Sequence, residues 1–343
     1  MIYVQGDEAG GSAEVDDIML TNDRKIHSQI EVCGLHRVAS IDLSATVCMW
    51  DADTGNMLTS VVVPPGGEAH KQPNLCCNRG GNRFVASSGA LLCIVDLQSH
   101  GSLELIRTMN TSHNAITALC MNADGNRVLT GHDDGYLCYW NIECDERLWS
   151  DNVHDSDAVE AVDISADEAL IVSGAFRVMR LCSAATGETL WRFTGHTGII
   201  PSIRFNLDSS RIASSCFDYK AIYIWNICDG PSYVMKLTGH ADYITSMSYC
   251  SDEIRLASSS FDGSVIVWDL ECGVCLLQLK GHTSFVVSVS FSSDGSRIAS
   301  GGYDNVVIIW DVASGCEVTR LVGHTNVVTG VCCVPEMSDY LLK

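Results

Sequence analysis

A dipeptide of Trp followed by Asp or Asn recurs along this chain at nearly constant spacing. It stands at residues 50–51, 140–141, 225–226, 268–269 and 310–311. Two degenerate copies, at Val95-Asp96 and Leu181-Cys182, fill the gaps, so that successive copies lie about 41–45 residues apart. Such a period is typical of repeated supersecondary units that stack side by side and share one core. The repeat therefore predicts one large domain rather than the two that 343 residues would otherwise suggest.

The charge of the chain narrows the kinds of partner it can bind. There are 42 Asp and Glu against 21 Lys and Arg, which gives a formal net charge of -21 at pH 7. Such a surface repels a polyanion, so we expect no direct binding to nucleic acid. Attraction of basic proteins and simple solubility both remain as explanations of this acidity.

Cysteine content and hydropathy bear on the location of the protein. The 17 cysteines are scattered through strand-like stretches of a domain too large to need disulfide staples, which favours a reducing compartment. Residues 1–20 lack the basic and apolar regions of a secretory signal, and no run of 18 apolar residues occurs. We therefore expect a cytoplasmic protein, with a nuclear location also compatible, and no association with a membrane.

Residues 281–323 show most clearly what one repeat contains. Alternation of period two between turn residues predicts four short strands, at residues 285–291, 297–301, 306–312 and 317–321. Gly and Asp or Asn stand where the chain must reverse, at residues 293–295 and 304–305. Four strands joined by such tight turns form one antiparallel sheet.

With Gly281-His282 before its first strand and Trp310-Asp311 at the end of its third, this repeat resembles those of the WD-repeat, or β-transducin-like, family. The resemblance extends over about nine tenths of the chain. It implies an all-β fold, namely a β-propeller of four-stranded antiparallel blades. It also implies a scaffold that binds other proteins, because propellers carry many unrelated binding surfaces. These motifs assign no subfamily.

In this family a hydrogen-bonded tetrad of His, Ser or Thr, Asp and Trp holds each blade, and four repeats carry matching residues. They are His113/Thr130/Asp134/Trp140, His196/Ser214/Asp218/Trp225, His240/Ser258/Asp262/Trp268 and His282/Ser300/Asp304/Trp310. A buried indole N–H and a buried carboxylate both need hydrogen-bond partners, which such a tetrad supplies. A recurring His, Ser and Asp also suggests a hydrolase triad, but a triad occurs once per site and needs no Trp. We therefore interpret the sets as structural.

Three repeats depart from the pattern. In residues 85–96 and 171–182, two residues are missing at the turn that should hold the Asp, and Val95 or Leu181 replaces the Trp. Those two blades are predicted to lose the tetrad and to rely on apolar packing. The first repeat is intermediate, and at the positions of His, Ser, Asp and Trp it has Asn22, Ser40, Ser44 and Trp50.

Seven complete repeats and a partial one leave two ways to close the ring. The propeller is predicted over residues 24–343, and residues 1–23 form an N-terminal segment that contributes closure strands. After the seventh repeat, Gly323-His324 and a strand over residues 327–334 begin another. This partial repeat and strand-like N-terminal stretches would together build an eighth blade, which is the closure we favour. In the alternative, one of these strands joins a neighbouring sheet of a seven-bladed ring.

Partners of this family usually bind the narrower face around the central channel. Two positions of each repeat lie there, namely the residue before the turn Asp and the third residue after the His. In repeats 5, 6 and 7 both positions are apolar, and we predict that they bind the partner: Phe217, Phe261, Tyr303, Ile199, Tyr243 and Phe285. Exposed clusters of this kind mark interaction sites, although burial between neighbouring loops also explains them.

Acidic residues are densest between residues 133 and 168, in the loops of blades 3 and 4. The predicted acidic patch consists of Asp145, Glu146, Asp151, Asp155, Asp157 and Glu160. Across the ring from the aromatic residues, this patch would attract a basic segment, whereas a set of solvated loops explains the same composition. The predicted partner is a protein or peptide, basic in one alternative, within a multiprotein complex. An acidic binder of basic chromatin or histone tails is the second hypothesis.

The sequence offers little support for chemistry beyond binding. Cys272 and Cys275 form a lone CxxC at a turn, whereas a zinc site requires a second, suitably spaced pair. No phosphate-binding glycine loop, HExxH helix or nucleophile elbow occurs. We predict no metal, no cofactor and no enzymatic activity.

Overall fold

The computed structural model describes residues 37–66, 72–217, 220–227 and 233–334. These residues belong to one compact unit and contain 28 β-strands and no helix. The strands form seven antiparallel sheets of four strands each. The predicted fold class, an all-β propeller of four-stranded antiparallel blades, is confirmed. Within these ranges the chain has no helix long and apolar enough to span a bilayer.

The strands follow chain order around the ring. Blade 1 contains β1 (Arg37–Asp42), β2 (Thr46–Asp51), β3 (Met57–Val62) and, as its innermost strand, β28 (Val328–Val334). Blades 2, 3 and 4 contain β4 (Leu75–Cys77), β5 (Arg83–Ser88), β6 (Leu91–Leu97), β7 (Leu103–Asn110), β8 (Ile116–Met121), β9 (Arg127–His132), β10 (Tyr136–Asn141), β11 (Glu146–Asn152), β12 (Ala161–Ile164), β13 (Leu170–Gly174), β14 (Phe176–Ser183) and β15 (Thr189–Ile199). Blades 5, 6 and 7 contain β16 (Ile203–Phe205), β17 (Arg211–Cys216), β18 (Ala221–Asn226), β19 (Tyr233–Thr238), β20 (Ile244–Tyr249), β21 (Arg255–Ser260), β22 (Ser264–Asp269), β23 (Val274–Lys280), β24 (Val286–Phe291), β25 (Arg297–Gly302), β26 (Val306–Asp311) and β27 (Glu317–Val322).

Strand β28 closes the ring. It pairs antiparallel with β1 in a register that runs from Arg37 opposite Val334 to Asp42 opposite Val328. The eight-bladed closure favoured from the sequence is therefore wrong, because the strand after His324 completes the sheet of blade 1 instead of starting a new one. This pairing covers the inner edge of β1, which would otherwise be a free template for aggregation. The predicted N-terminal closure strands and Asn22 lie outside the described residues.

The innermost strands β28, β4, β8, β12, β16, β20 and β24 follow one another around a central channel. Serine side chains on these strands or directly before them accept hydrogen bonds from backbone N–H groups of the next blade. The Oγ atoms of Ser202, Ser248 and Ser290 lie 3.1, 3.1 and 3.2 Å from the backbone nitrogens of Met247, Phe291 and Cys333. These bonds satisfy main-chain donors where neighbouring blades meet without a shared ladder, and so they fix the blades relative to one another.

Apolar cores lie between the blades. The buried apolar residues of the described chain form seven clusters, one at each interface between neighbouring blades. The repeated Trp residues sit in these interfaces, and Trp50, Trp225 and Trp268 are among the largest fully buried side chains. A Cβ atom at Gly281 or Gly323 would lie 2.8 or 2.9 Å from the indole of Trp310 or Trp50. In blades 1 and 7 the Gly of the Gly-His pair therefore makes room for the Trp of its own blade.

Candidate partner-binding face

The tetrad residues set the framework of the face. In blade 6, Trp268 Nε1 lies 2.8 Å from Ser258 Oγ. His240 joins this Ser to the carboxylate, with Nε2 2.8 Å from Ser258 Oγ and Nδ1 2.9 Å from Asp262 Oδ2. In blade 7 the equivalent contacts, at 2.8, 2.8 and 2.9 Å, link Trp310, Ser300, His282 and Asp304. The structure thus brings together all four predicted residues in both blades.

The order of protons in these tetrads follows from the donors available. The indole can only donate, so the Ser hydroxyl accepts from it and donates its own proton to His Nε2. The remaining imidazole proton on Nδ1 then points at the carboxylate. Burial alone would raise the pKa of Asp262, but hydrogen bonds from His240 and Ser264 outweigh it and lower the pKa. Each tetrad is therefore a chain of satisfied polar groups rather than a reactive centre.

Blade 1 contains a complete tetrad that sequence reasoning missed. Ser40 Oγ lies 2.7 Å from Trp50 Nε1 and 2.6 Å from His324 Nε2. His324 Nδ1 lies 2.9 Å from Asp42 Oδ2. The His comes from the far end of the chain, immediately before β28, and the Asp stands two residues before Ser44. Asp42 Oδ1 also accepts the backbone N–H of Ser44, at 2.9 Å, so one carboxylate serves both the tetrad and the turn.

Blade 3 uses a different His from the predicted one. Trp140 Nε1 donates to Thr130 Oγ1 at 3.1 Å, but it is His132 Nε2 that lies 2.9 Å from the same hydroxyl. His113 does not bond Thr130, and its Nδ1 lies 3.6 Å from Asp134 while its ring stacks on Tyr136. Residues two apart on a strand point to the same side, so His132 reaches the hydroxyl of Thr130 directly.

Blade 5 keeps the inner part of its tetrad. Ser214 Oγ lies 2.7 Å from both Trp225 Nε1 and His196 Nε2. Asp218 lies outside the described residues, and within them His196 Nδ1 has no hydrogen-bond partner. Burial lowers the pKa of His196 to about 4, so this imidazole is neutral near pH 7.

Blade 4 retains half of a tetrad, which corrects the prediction that it relies on apolar packing alone. His154 Nε2 lies 2.8 Å from Ser173 Oγ, and burial lowers the pKa of His154 to about 4. The register pairs Ile171 with Cys182, which places Cys182, not Leu181, at the Trp position. Trp149 of blade 3 packs at this interface instead and donates to the carbonyl of Ala184 at 2.8 Å. In blade 2, Val95 fills the Trp position and is buried.

The predicted aromatic residues form one continuous series of ring contacts, here called the aromatic arc: Phe217, Tyr243, Phe261, Phe285 and Tyr303. Phe217 stacks on Tyr243 with ring centroids 4.9 Å apart, and Phe261 stacks on Phe285 at 4.6 Å. Edge contacts of 6.2 and 5.6 Å join Tyr243 to Phe261 and Phe285 to Tyr303. Tyr243, Phe285 and Tyr303 expose 39%, 42% and 38% of their surface. The arc is therefore both ordered and accessible.

Repeated backbone hydrogen bonds place these rings. In blades 6 and 7 the residue that follows the second strand donates its N–H to the residue that precedes the first strand, and in blade 5 the acceptor is Ile199, the last residue of β15. The pairs are Phe217 to Ile199 at 3.1 Å, Phe261 to Tyr243 at 2.9 Å and Tyr303 to Phe285 at 2.9 Å. Ile199 is thus joined to the arc through its backbone, and its half-buried side chain adds to the same surface. A surface positioned by main-chain bonds loses little freedom on binding.

The aromatic arc borders the mouth of the central channel. A cavity of ≈ 330 Å³ opens there. Its walls come from all seven blades: Gln72, Asn74, Thr117, Glu160, Pro201, Phe217, Thr245, Phe261, Val287 and Thr329. Phe217 and Phe261 contribute the apolar side, and Glu160 contributes a carboxylate. The mouth can therefore receive a side chain with an apolar stem and a polar or cationic end.

The structure does not bring the six predicted acidic residues together. Asp145 and Glu146 lie at the turn between β10 and β11, and successive turns of an antiparallel blade alternate between its two ends. They therefore lie on the face opposite the arc, where Asp145 pairs with Arg107. The others lie at or near the arc's end of the blades: Asp151, Asp155, Asp157 and Glu160. Asp155 pairs with Arg180 at 3.1 Å, although 84% of its side chain is exposed.

Sequence reasoning missed Phe176 and Arg177 at the tip of the hairpin between β13 and β14. Phe176 is 44% exposed and pairs with Ile199, so it extends the apolar surface of the arc into blade 4. The signal was present in the sequence, because the shortened turn of this repeat leaves two bulky residues where other repeats have a longer polar turn. A turn too short for the tetrad Asp places its own tip residues on the face.

No group of three or more His, Cys, Asp or Glu in the described ranges has the arrangement of a metal site. Cys272 and Cys275, the lone CxxC, are exposed free thiols. Burial and the neighbouring Asp163 raise the pKa of Cys120, which keeps this thiol protonated.

Comparison with known proteins agrees with this architecture. A family model described as "WD domain, G-beta repeat" matches residues 103–141, 187–226, 231–269 and 273–311. The chain therefore contains four WD repeats within its seven-bladed β-propeller. The four matched stretches end at the Trp-Asp or Trp-Asn pairs of blades 3, 5, 6 and 7. The repeats of blades 1, 2 and 4 lie outside the match. Blades 2 and 4 lack the Trp, and the tetrad of blade 1 is completed from the far end of the chain.

The chain also resembles WD repeat-containing protein 18 of Danio rerio. The two are 26% identical over 129 residues, which cover 35% of this chain and 30% of that protein. The similarity therefore extends over less than a third of the relative and assigns no subfamily. WD-repeat propellers commonly serve as scaffolds for protein interactions.

Proposed function

We propose that this chain is a non-catalytic scaffold that binds a peptide or loop of a partner protein across the aromatic arc at the channel mouth. One observation carries the proposal. Five aromatic rings in mutual contact, three of them exposed, border a cavity that accepts a side chain. Aromatic residues in ordered clusters contribute a large part of the binding energy of interfaces. The rigid ring holds them in place before the partner arrives.

The test is affinity purification with mass spectrometry of the wild type beside a triple variant, Phe217→Asp, Phe261→Asp and Tyr303→Asp. A matched control carries three Asp substitutions on outer strands far from the channel, at Leu58, Leu276 and Val322, which are 46%, 47% and 68% exposed. Circular dichroism first establishes that both variants fold. We expect the arc variant to lose a discrete set of proteins that the control retains. Retention of the full set by the arc variant would refute the proposal.

A second candidate is an acidic receptor for a basic segment, such as a chromatin or histone tail. The observation in its favour is that Glu160 lines the same cavity as Phe217 and Phe261, on the face that also carries Asp155 and Asp157. Glu160→Gln should then weaken binding of a synthetic basic tail peptide and flatten its salt dependence. The matched control is Asp145→Asn on the opposite face. Equal salt dependence in both variants would argue against this candidate.

The proposal extends to the surroundings of the chain. We place it in a multiprotein complex in the cytoplasm, with the nucleus as the alternative, and without direct contact to nucleic acid or membranes. The acidic surface and the free thiols of the described cysteines support this placement. Cell fractionation and size-exclusion chromatography of a lysate test it, and recovery of the chain with membranes would contradict it.

A further inference from the structure

The hairpin tip of blade 4 holds an arginine in an unusual backbone conformation. Ala175 N donates to Val178 O at 3.1 Å, which makes Phe176 and Arg177 the two residues of a tight turn. Arg177 has a φ of 67°, in the left-handed region that residues with a Cβ rarely adopt. Such conformations cluster at functional sites, where the surrounding structure maintains them.

This conformation fixes where the guanidinium lies. Residues adjacent on a strand normally point to opposite sides, but the turn brings the side chains of Phe176 and Arg177 together. The guanidinium carbon lies 4.6 Å from the centroid of the Phe176 ring. Arg177 Nε donates to the carbonyl of Thr197 at 2.8 Å. The exposed guanidinium is thus held on two sides before any ligand binds.

The rest of the guanidinium is available to a ligand. In the described part of the chain, no hydrogen bond or ion pair involves the two terminal nitrogens of Arg177. Its neighbours on this side of the face are already used, because Arg180 pairs with Asp155 and Lys220 bonds the carbonyl of Ala241. On a chain with a formal net charge of -21, an exposed guanidinium that forms no ion pair with any described residue marks a local exception.

Arg177 is continuous with the aromatic arc. Phe176 pairs with Ile199, whose carbonyl accepts the N–H of Phe217. A segment that crosses the arc from blade 7 toward blade 4 therefore reaches the guanidinium at its end. Arg presents parallel N–H groups that match the two oxygens of a carboxylate or phosphate.

We infer that Arg177 binds an anionic group of the partner, a carboxylate or a phosphate, that follows the apolar residues lying on the aromatic arc. This inference rests on the proposed function, and it adds the chemical class of the partner segment. The bound segment has apolar residues for the arc and an acidic or phosphorylated residue at a fixed distance from them.

The test begins with a phage library of random peptides selected on the wild type. We expect the enriched peptides to share apolar residues and an acidic residue at constant spacing. Synthetic copies then carry Glu, phosphoserine or Ala at that position, which distinguishes carboxylate from phosphate. Wild type should bind at least one anionic copy about tenfold more tightly than the Ala copy.

Three variants separate the possible outcomes. Arg177→Asn, which tolerates the backbone conformation, should bind all three copies equally, and Arg177→Glu should prefer a Lys copy. The matched control, Arg192→Asn on the exposed outer strand of the same blade, should retain the anion preference. An unchanged preference in Arg177→Asn, or enriched peptides without an acidic residue, would overturn the inference. Absence of any enriched peptide, or full binding by Phe261→Asp, would instead refute the proposed function and the inference with it.

Discussion

At the scale of single residues, the tetrads show that position in space matters more than position in the repeat. The residue two after the Ser or Thr points to the same side of its strand. In blade 1 this residue is Asp42 and supplies the carboxylate, and in blade 3 it is His132 and supplies the imidazole. A sequence comparison that expects the tetrad His and Asp at fixed distances from the Ser or Thr therefore misses Asp42 in blade 1 and His132 in blade 3. In both blades the hydroxyl of the Ser or Thr is nevertheless bonded to a His and a Trp.

Removal of the tetrad Ser hydroxyl should lower the free energy of unfolding most in blades where this hydroxyl bonds two side chains. Ser258 bonds both Trp268 and His240, whereas Ser173 bonds His154 in a blade without the Trp. Each buried group left without a partner costs about 1–3 kcal/mol. We expect Ser258→Ala to lower the free energy of unfolding by about 2–4 kcal/mol and Ser173→Ala by about half as much. Urea unfolding measures both, and equal losses would contradict the two-partner account.

Two neutral histidines should make stability depend on pH. Burial lowers the pKa of His154, with a contribution from Arg180, and that of His196 to about 4, from an ordinary value of 6.5. As the pH falls below 6.5, these histidines take up protons in the unfolded chain but not in the native chain. The stability that the two neutral histidines contribute is therefore complete above pH 6.5 and is lost as the pH falls toward 4.

We therefore expect the free energy of unfolding to drop by roughly 2–4 kcal/mol between pH 7 and pH 5. Urea titrations at the two pH values measure this drop. His154→Asn keeps a side chain that can bond Ser173 but removes the titration, and should reduce the drop by about half. A drop of the same size in this variant would assign the effect to other groups.

At the scale of elements, the hairpin of blade 4 shows how a deletion changes both packing and surface. The turn after β13 is too short for a tetrad Asp, and the register puts Cys182 at the Trp position. Trp149, from the outer strand of blade 3, occupies part of the interface instead. The same short turn places Phe176 and Arg177 on the face that carries the aromatic arc. The lost tetrad and the added surface residues therefore have a common origin in this turn.

The left-handed conformation at this hairpin tip predicts different costs for two substitutions. Asn adopts φ > 0 more readily than other residues with a Cβ, so Arg177→Asn should change the free energy of unfolding by less than about 0.5 kcal/mol. A β-branched residue clashes there, so Arg177→Val should cost about 1–2 kcal/mol. Thermal unfolding of the two variants measures the difference. Equal melting temperatures of the Asn and Val variants would show that residue 177 does not have the left-handed conformation.

The sequence predicts regular elements better than their exceptions. The strands of blade 7 agree with the predicted ones to within a residue at each end, because alternation and turn residues define them locally. The six predicted partner-binding residues lie on one surface, since each follows from its offset within a repeat. His324 and Arg177 were missed for different reasons. His324 bonds Ser40, which lies 284 residues earlier in the chain. The position of Arg177 depends on a φ angle that the spacing of residues in the sequence does not reveal.

At the scale of the whole molecule, closure by β28 makes the ring depend on the last part of the described chain. Removal of residues 324–343 uncovers the inner edge of β1 and removes His324, which bonds Asp42 in blade 1. We expect this truncation to abolish cooperative unfolding and to cause aggregation, because two neighbouring apolar interfaces lose one side.

Size-exclusion chromatography and circular dichroism during heating test this expectation. His324→Ala serves as the comparison, since it removes the tetrad of blade 1 but leaves the ladder between β1 and β28. This variant should remain folded and elute at the wild-type volume, with a lower melting temperature. A truncated chain that elutes without aggregates and melts at the wild-type temperature would show that β28 does not hold the ring.

Closure by the final strand also has a consequence in time. Of the described strands, β1, β2 and β3 are synthesised first, but their sheet is finished only after His324 and β28 have left the ribosome. Ser40 and His324 are 284 residues apart. At roughly 5–20 residues per second, this interval lasts about 15–60 s. Throughout it, β1 presents an open edge to every other nascent chain nearby. The yield of folded protein should therefore depend on translation speed and on chaperones that shield the first blade until the last strand arrives.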